Sequence, residues 1–385
     1  MSTEPYRVLV VDDSAMMRSL VGRIIDSDPD TTLVGKAMNG KFALHKIETL
    51  KPEVLILDLE MPEMNGIEFL KERRSRGMDV PVIVLSSIAK KGAQVTMEAL
   101  ALGASDFILK PSGSVSMDIH TVADHLLELV KSLGAEYRIR HGEPVARPVD
   151  QPARTSERGA MAPSGRSPAT AYAPHRGTVA PKTVERPPIE PGPIELVALG
   201  ISTGGPNALR KVFALIPADL PCPILVVQHM PPGFTTEFAK SLDRVCTLSV
   251  TEVSDGEQMR AGHVYIAPGD HHVTVTRTRT AARVHVNQDP PRNGHRPSAD
   301  VLFASVAAEY GNRALGVIMT GMGKDGATEI GSILRKGGLT IGQDEASSIV
   351  YGMPKVAHEM GHVERQVPLT EMAETITSLV KEHQE

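Results

Sequence analysis

Residues 8–26, VLVVDDSAMMRSLVGRIID, join a short apolar run to an amphipathic stretch, and this unit decides the fold of the first 135 residues. The apolar residues of the second part recur at helical spacing. Four more apolar runs follow, each with a helical pattern behind it: LVGKA (33–37), VLILDLE (54–60), PVIVLSS (81–87) and DFILKPS (106–112). Five β-α units of this length predict a parallel sheet covered by helices on both faces.

A proline-rich segment separates this part from a second domain. Residues 141–193 hold 11 of the 29 prolines and show no apolar period. Structureless loops of this length are uncommon inside a domain, so we interpret 136–193 as a flexible linker. It divides the chain into an N-terminal domain, 5–130, and a C-terminal domain, 194–385.

The C-terminal domain again alternates predicted strands and helices, but its middle part has a different sequence pattern. ELVALG, PILVVQHM (223–230), ALGVIMTG (314–321) and GLTIGQ (338–343) have the apolar character of buried parallel strands. Between them, VTVTRTRTAARVHVN alternates apolar and polar residues. We therefore predict a doubly wound α/β domain with a mainly parallel sheet and an antiparallel β insert.

Composition excludes several classes of protein. Hydrophobic residues make up 41% and charged residues 23%, as in ordinary globular proteins. The net charge is −5, and residues 194–385 carry 17 Lys and Arg against 21 Asp and Glu, so a nucleic-acid partner is disfavoured. We expect neither a signal peptide nor membrane insertion. Cys222 and Cys246 lack a pairing motif, which favours reduced thiols and a cytoplasmic location.

Unusual residues follow the strands of the N-terminal domain. Asp12 and Asp13 close the first strand, Asp58 the third, Ser86 the fourth and Lys110 the fifth. Carboxylates that converge at one sheet edge repel one another unless a hard cation shares them, which suggests Mg²⁺. A single aspartate at a strand end commonly caps the next helix, but four matching strand ends make capping alone a poor explanation.

With these residues, 5–130 resembles a bacterial response-regulator receiver domain, which implies a flavodoxin-like (βα)5 fold. The resemblance implies that Asp58 accepts a phosphoryl group, and it puts Phe107 at the position of an aromatic switch residue. The implied Mg²⁺ ligands are Asp12, Asp13, Asp58 and the main-chain carbonyl of Glu60, and the implied phosphoryl contacts are Ser86 and Lys110.

The segment GISTGGP, 200–206, lies between a predicted strand and a predicted helix. It fits G-x-S-x-G, the tight bend that exposes a serine nucleophile, here Ser202. The same glycines equally suit a phosphate-binding loop, and an N-cap serine is commoner still. The pattern leaves these alternatives open.

Two further strand ends supply partners for a serine. His229, in VVQHMPP, closes the next strand and is a candidate base. Asp325, in TGMGKDG, closes a third strand, where it either orients the histidine or caps the helix that follows it. The main-chain N–H groups of the 321–323 turn suit an oxyanion hole, with Met322 the first choice.

The motifs GISTGG, QHM and TGMGKDGA, together with the receiver, closely resemble the response-regulator protein-glutamate methylesterases of bacterial chemotaxis. The resemblance covers nearly the whole chain outside the linker. It implies Ser202 as nucleophile, His229 as base and Asp325 as orienting acid, with Thr203 helping to position the histidine. The order Ser…His…Asp differs from that of the α/β-hydrolases, which disfavours a lipase-like fold.

The implied activity is demethylation of glutamate γ-methyl esters, and deamidation of glutamines, on methyl-accepting chemotaxis receptors. The ester chemistry needs no cofactor, whereas the receiver uses Mg²⁺. A chemotaxis histidine kinase is the implied phosphodonor, and the unphosphorylated receiver is expected to occlude the cleft. Two alternatives remain: a nucleotide-binding module without catalysis, and an esterase for small molecules.

Overall fold

The computed structural model describes residues 4–87, 89–110, 116–145, 186–278 and 281–384. Most of the predicted linker, 146–185, lies outside the described residues. In the described part, no helix combines the length and the apolar character needed to cross a membrane.

The N-terminal domain contains five strands and five helices in strict alternation, as predicted. Its sheet is entirely parallel, in the order β2-β1-β3-β4-β5. The elements are β1 (Tyr6–Val11), α1 (Ala15–Asp26), β2 (Thr31–Ala37), α2 (Gly40–Leu50), β3 (Val54–Asp58), α3 (Gly66–Ser75), β4 (Val82–Ser86), α4 (Lys90–Ala101), β5 (Asp106–Leu109) and α5 (Ser116–His141).

Local capping residues mark where several of these helices begin. Ser14 and Asn39 accept the N–H groups that α1 and α2 leave unpaired in their first turns. Asn65 and Glu68 form a reciprocal capping box at the start of α3. Helix α5 runs on to His141, so the predicted linker start at 136 falls inside a helix.

The C-terminal domain is built around a seven-stranded parallel sheet in the order β14-β13-β12-β6-β7-β9-β8. Its elements are β6 (Leu196–Ile201), α6 (Gly205–Phe213), β7 (Ile224–Gln228), α7 (Phe234–Asp243), β8 (Ser249–Glu252), β9 (His263–Ile266), β10 (His272–Arg277), β11 (Ala282–Asn287), α8 (Ala299–Tyr310), β12 (Ala314–Ile318), α9 (Ile330–Arg335), β13 (Leu339–Gln343), α10 (Met353–Glu359), β14 (Arg365–Val367) and α11 (Met372–Glu382).

The predicted antiparallel insert is the hairpin β10–β11, which forms a separate two-stranded sheet. The strand order of the main sheet reverses between β6 and β12, because the chain builds outward from β6 on one side and from β12 on the other. Ligands of such sheets bind beyond the carboxyl ends of the strands at this reversal. Helix α9 begins at Ile330, which leaves 319–329 as a long turn after β12.

A buried ion pair ties helix α5 to the first strand of the N-terminal domain. Arg138 bonds to both carboxylate oxygens of Glu53, and its guanidinium lies 4.3 Å from the ring centre of Tyr6. Glu53 also accepts the backbone N–H of Arg7 at 2.8 Å. Both charged side chains are about 5% exposed.

We predict that Glu53→Gln destabilises the protein by roughly 3 kcal/mol, because it leaves the buried Arg138 charge without its partner. Urea unfolding of the full chain, followed by far-ultraviolet circular dichroism, measures the loss. The control is Glu98→Gln, whose carboxylate forms an exposed pair with Lys71, and it should change stability by less than about 1 kcal/mol. Equal effects of the two substitutions would contradict the prediction.

Candidate active site

Ser202 and His229 lie side by side at the carboxyl ends of neighbouring strands. Ile201 of β6 pairs with Gln228 of β7, so the next residue of each strand is the predicted site residue. The backbone N–H of His229 donates to the carbonyl of Ile201 at 3.2 Å. On the other side, the N–H of Ser202 donates to the carbonyl of Thr320, just beyond β12, at 3.0 Å. The three strand ends therefore converge on Ser202.

Two glycines make the sharp bend after Ser202. Gly204 has a φ of 78°, in the left-handed region that glycine adopts without strain. At Gly205, an added Cβ would lie 1.9 Å from Oε1 of Gln228. The amide of Gln228 in turn donates to the carbonyl of Ser202 at 2.9 Å. A larger residue at 205 would push α6 away from β7 and displace the serine.

His229 and Asp325 form a buried hydrogen-bonded pair. Nε2 of His229 lies 2.8 Å from Oδ2 of Asp325, and the two side chains are 8% and 0% exposed. The other ring nitrogen, Nδ1, is buried and has no hydrogen-bond partner among the described residues. Because Asp325 takes Nε2, Nδ1 is the nitrogen left to accept a proton.

The carboxylate of Asp325 is held at the N-terminus of helix α8. Burial on its own would raise the pKa of Asp325, but hydrogen bonds from His229, Asn293 and Ser298 and the His229 charge outweigh it and hold that pKa well below its usual value. The backbone N–H of Ala299 also donates to it at 2.7 Å. The carboxylate therefore stays ionised beside the imidazole.

The structure corrects one interpretation of Asp325. As a capping residue it was expected at the helix that follows it in sequence, but α9 begins only at Ile330. Asp325 instead accepts N–H groups of α8, at Ala299 and Asp300, which lie about 25 residues earlier in the chain. The tight glycine-containing turn carries the carboxylate back to that helix.

His295 is a site residue that the sequence did not single out. Its ring stacks on that of His229, with centroids 3.8 Å apart and planes 6° from parallel. Burial, followed by repulsion from His229, lowers the pKa of His295 to about 4. A neutral imidazole therefore covers one face of His229 and fixes the plane of its ring. The segment HRPSAD contains His295, but nothing in its pattern points to His229.

The turn with Met322 lies against the serine. A Cβ placed on Gly321 would be 2.8 Å from Cβ of Ser202. The N–H of Gly321 is already bound by the carbonyl of Val350, so Met322, the next N–H in the turn, stays the predicted oxyanion donor. No hydrogen bond joins Ser202 to His229, since Nδ1 has no partner among the described residues.

Thr203, predicted to position the histidine, contacts a different histidine. Its hydroxyl lies 3.3 Å from Nε2 of His125, which belongs to α5 of the N-terminal domain. Neither ring nitrogen of His229 bonds to Thr203, because one is bound to Asp325 and the other is unpartnered. In this arrangement the threonine is part of a contact between the two domains.

The N-terminal domain covers the site through residues of β5 and the loop before it. Oδ2 of Asp106 accepts the N–H of Gly204 at 2.7 Å. The side-chain amide of Asn207 donates to the carbonyls of Ala104 and Ser105, at 2.7 and 2.8 Å. These contacts fall on residues 202–207, which we call the Ser202 segment.

An aromatic pair extends this contact. The ring of Phe107 stacks on that of Phe234, at the start of α7, with centroids 5.1 Å apart and planes 4° from parallel. Phe107 is the residue predicted to be an aromatic switch. Its ring here is bound to the C-terminal domain, which links its conformation to the domain contact.

The second cluster of predicted site residues lies at the edge of the N-terminal sheet. Asp12, Asp13 and Asp58 place carboxylate oxygens within 4.8 Å of one another. Burial, and then repulsion from Asp58, raises the pKa of Asp12 despite the opposing effect of Lys110. Oδ2 of Asp12 is buried without a hydrogen-bond partner among the described residues. A crowded cluster of carboxylate oxygens, one of them buried without a hydrogen bond, suits a hard cation.

Lys110 and Ser86 border this cluster as expected. Nζ of Lys110 lies 2.7 Å from Oδ2 of Asp58 and 3.4 Å from Oδ2 of Asp12. The hydroxyl of Ser86 is hydrogen bonded to that of Thr96 at 2.6 Å. A cavity beside Asp58 is lined by Ser86, Lys110 and Glu60.

Comparisons with known proteins match both domains. Residues 8–120 match the response regulator receiver domain family, and residues 197–376 match the CheB methylesterase family.

Curated relatives match over nearly the full chain. A protein-glutamate methylesterase/protein-glutamine glutaminase of Treponema denticola is 52% identical over 98% of this chain and 99% of its own length. One of Treponema pallidum is 49% identical, with 97% of each chain covered. One of Koribacter versatilis is 45% identical over 96% of this chain and 94% of its own.

These matches confirm the resemblance, the fold class and the enzyme class predicted from the sequence. The two matched regions coincide with the two sheets, and the residues that converge at their edges are a carboxylate cluster in the first and Ser202 with the His229–Asp325 pair in the second. The chain belongs to the protein-glutamate methylesterase/protein-glutamine glutaminase family, whose hydrolase domain is joined to a response-regulator receiver.

Proposed function

We propose that Ser202, His229 and Asp325 form the catalytic triad of this methylesterase. The observation that carries the proposal is the pair of His229 and Asp325, in which Nε2 is bound and Nδ1 is left buried and unpartnered next to the Ser202 strand end. In a triad the base needs one nitrogen for the acid and the other for the nucleophile. Nδ1 is therefore the general base toward the Ser202 hydroxyl.

In the proposed reaction, Oγ of Ser202 attacks the side-chain carbonyl of a glutamate γ-methyl ester as its proton passes to Nδ1 of His229. The oxyanion accepts the N–H of Met322. The C–O bond to the methoxy group then breaks, and His229 returns the proton to form methanol. Water, deprotonated by His229, hydrolyses the acyl-enzyme to glutamate and free Ser202. A glutamine side chain passes through the same acyl-enzyme and releases ammonia.

The ionised Asp325 favours this cycle because His229 becomes positively charged in each proton transfer. A buried imidazolium is costly without a counter-charge. The N-terminus of α8, with its N–H groups and the Ser298 hydroxyl, keeps the carboxylate ionised and fixed in place. The His295 ring prevents His229 from rotating away from that carboxylate.

The proposed substrates are methyl-accepting chemotaxis receptors, and the proposed phosphodonor is a chemotaxis histidine kinase in the cytoplasm. Asp58 is the proposed phosphoryl acceptor, with Ser86 and Lys110 contacting the phosphoryl oxygens. Mg²⁺ would be held by Asp12, Asp13, Asp58 and the main-chain carbonyl of Glu60. When bound, the cation neutralises charge on the transferring phosphoryl group.

The receiver, proposed to span 5–130, controls access to the triad. Its contacts to Thr203, Gly204 and Asn207 lie directly beside the nucleophile, so a bound receiver leaves no room for a receptor helix over Ser202. We call this arrangement the closed form, and the arrangement with these contacts broken the open form. Phosphorylation of Asp58 shifts the population toward the open form.

We predict that Ser202→Ala lowers methanol release from methylated receptor cytoplasmic domains by 10³-fold or more, on the order of magnitude seen when a triad nucleophile is removed. The measurement is gas chromatography of methanol with Mg²⁺ and a small phosphodonor present. Ser254→Ala, an exposed serine in the same domain, is the matched control and should retain full activity. A Ser202→Ala protein that still releases methanol would rule out this nucleophile.

We also predict that Asp58→Asn and Mg²⁺ chelation abolish stimulation by phosphodonor and leave the basal rate unchanged. The triad contains no metal ligand in this scheme, so chelation acts only on the receiver. Methanol release is measured with and without phosphodonor for both proteins. Loss of the basal rate on chelation would show that the metal acts in ester hydrolysis.

A further inference from the structure

Asp106 is an unusual member of the contact between the domains. Of the interdomain hydrogen bonds between described residues, one is made by a carboxylate, that of Asp106. Oδ2 accepts the N–H of Gly204 at 2.7 Å, and Oδ1 accepts the N–H of Phe107, the next residue of its own strand, at 2.8 Å. Asp106 is 4% exposed in this arrangement, with Gly204 of the C-terminal domain against its carboxylate.

This carboxylate is buried without a cation, in contrast to Asp325. Asp325 is bonded to His229 and to side-chain donors, whereas Asp106 has two backbone N–H groups. Burial therefore dominates and raises the pKa of Asp106 to about 6, although its two hydrogen bonds oppose the rise. In water, as in the open form, an aspartate has a pKa near 3.9.

Charged and titratable groups on the surrounding elements have other partners or point elsewhere. Lys110, at the end of β5, is bound to Asp58, and His125 of α5 lies against Thr203. Arg210 of α6 donates to Ser241. No charged group among the described residues forms an ion pair with Asp106. The charged residues on the neighbouring helices α4, α6 and α7 are Lys91, Glu98, Arg210, Lys211, Glu237, Lys240 and Asp243.

We propose that the buried carboxylate of Asp106 weakens the closed form at neutral pH and so keeps the receiver releasable by phosphorylation. Closure transfers an ionised group from water into a site with two N–H donors and no counter-charge, which is unfavourable. The rest of the contact, with the Phe107–Phe234 stack and the Asn207 bonds, must overcome this cost. The proposal deepens the regulation stated above and rests on that proposed function.

The position of Asp106 connects this cost to phosphorylation. Asp106 is the first residue of β5, and Lys110, which bonds to Asp58, directly follows the strand. One short strand therefore carries both the phosphorylation-site lysine and the interface carboxylate. A closed form of limited stability needs only a small displacement of β5 to open, because a two-state arrangement responds to modest differences in free energy.

The sign of the pH effect follows from the pKa. The pKa of Asp106 is higher in the closed form than in water, so closure takes up a proton between about pH 4 and pH 6. Acidification from pH 6 to pH 4 therefore stabilises the closed form, and a rise in pH over the same window destabilises it; above pH 6 Asp106 is ionised in both forms and adds no further pH dependence. His125, whose pKa is lowered by burial, contributes in the opposite sense. The difference between the two pKa values corresponds to a change of roughly 100-fold in the closure equilibrium.

The test compares wild type with Asp106→Asn in the full, unphosphorylated chain at pH 7.5. The amide oxygen of the variant can still accept the Gly204 N–H, and the charge is gone. We expect basal methanol release to fall by up to about 100-fold, the change given by the two pKa values, and amide hydrogen exchange of the Ser202 segment to slow. More phosphodonor should then be needed for half-maximal activity, with the same rate at saturation. Glu48→Gln, which removes an exposed carboxylate on α2, is the control and should match wild type.

The ratio of basal activities, variant to wild type, should rise toward one as the pH falls from 7.5 to 5, because protonation then neutralises the wild-type carboxylate. This ratio cancels the pH dependence of the triad itself. A variant with higher basal activity or faster exchange than wild type would overturn the proposal and make Asp106 a latch. Equal basal activity and exchange of the two proteins at pH 7.5 would also overturn it.

Two further measurements separate this proposal from the proposed function and from a folding defect. Hydrogen exchange in the Ser202→Ala background reports closure without any turnover, so the proposal is judged even if no methanol is released. If Asp106→Asn does not fold, the His125→Gln protein, which lacks the opposing histidine, decides: exchange of the Ser202 segment, corrected for intrinsic rates, should slow between pH 7.5 and pH 5. Exchange that stays constant or quickens over that range contradicts the proposal.

Discussion

The carboxylate of Asp325 at the N-terminus of α8 is the interaction on which the serine site depends. Two elements distant in sequence, the turn after β12 and the start of α8, are held together by the donors that it accepts. Because these donors keep it ionised, it can orient His229 and balance the charge that the imidazole acquires. With Nε2 bound to Asp325, Nδ1 of His229 is the nitrogen that remains to accept a proton, and the neighbouring strand end is that of β6.

The topology of the sheet explains how this chain order brings the three residues of the proposed triad together. Parallel strands all end at the same edge, so Ser202 after β6 and His229 after β7 become neighbours without any long connection. Asp325 comes from the other side of the reversal, after β12, which pairs with β6. The order Ser…His…Asp thus follows from which strands flank β6. The three residues can therefore meet without the chain order that the α/β-hydrolases use.

Much of the fold, and part of the candidate site, could be predicted from the sequence. Periodicity predicted both parallel sheets, because buried strands and amphipathic helices leave strong local patterns. The ends of those strands also placed Asp12, Asp58, Ser202 and His229 at the carboxyl edges of the two sheets. Helix ends were less predictable: α5 runs through Gly134, which packs against the ring of Tyr6, and continues to His141, next to Gly142 with its positive φ of 71°.

Contacts between distant segments left no such pattern. The stack of His295 on His229 depends on a loop that returns from the β10–β11 hairpin, and the bond of Thr203 to His125 crosses between domains. The acceptance of α8 N–H groups by Asp325 is equally non-local. Each is a relation between a side chain and a surface that forms only on folding, so a one-dimensional pattern cannot encode it.

Two buried aspartates in one protein show how the number of donors decides a role. Asp325 receives several side-chain and backbone donors and a titratable partner, and its pKa falls. Asp106 receives two backbone N–H groups, and its pKa rises. The first carboxylate is stable in its site and suits a permanent part of catalysis. The second is less stable as an ion in its site than in water, which suits the proposed release of the receiver on phosphorylation.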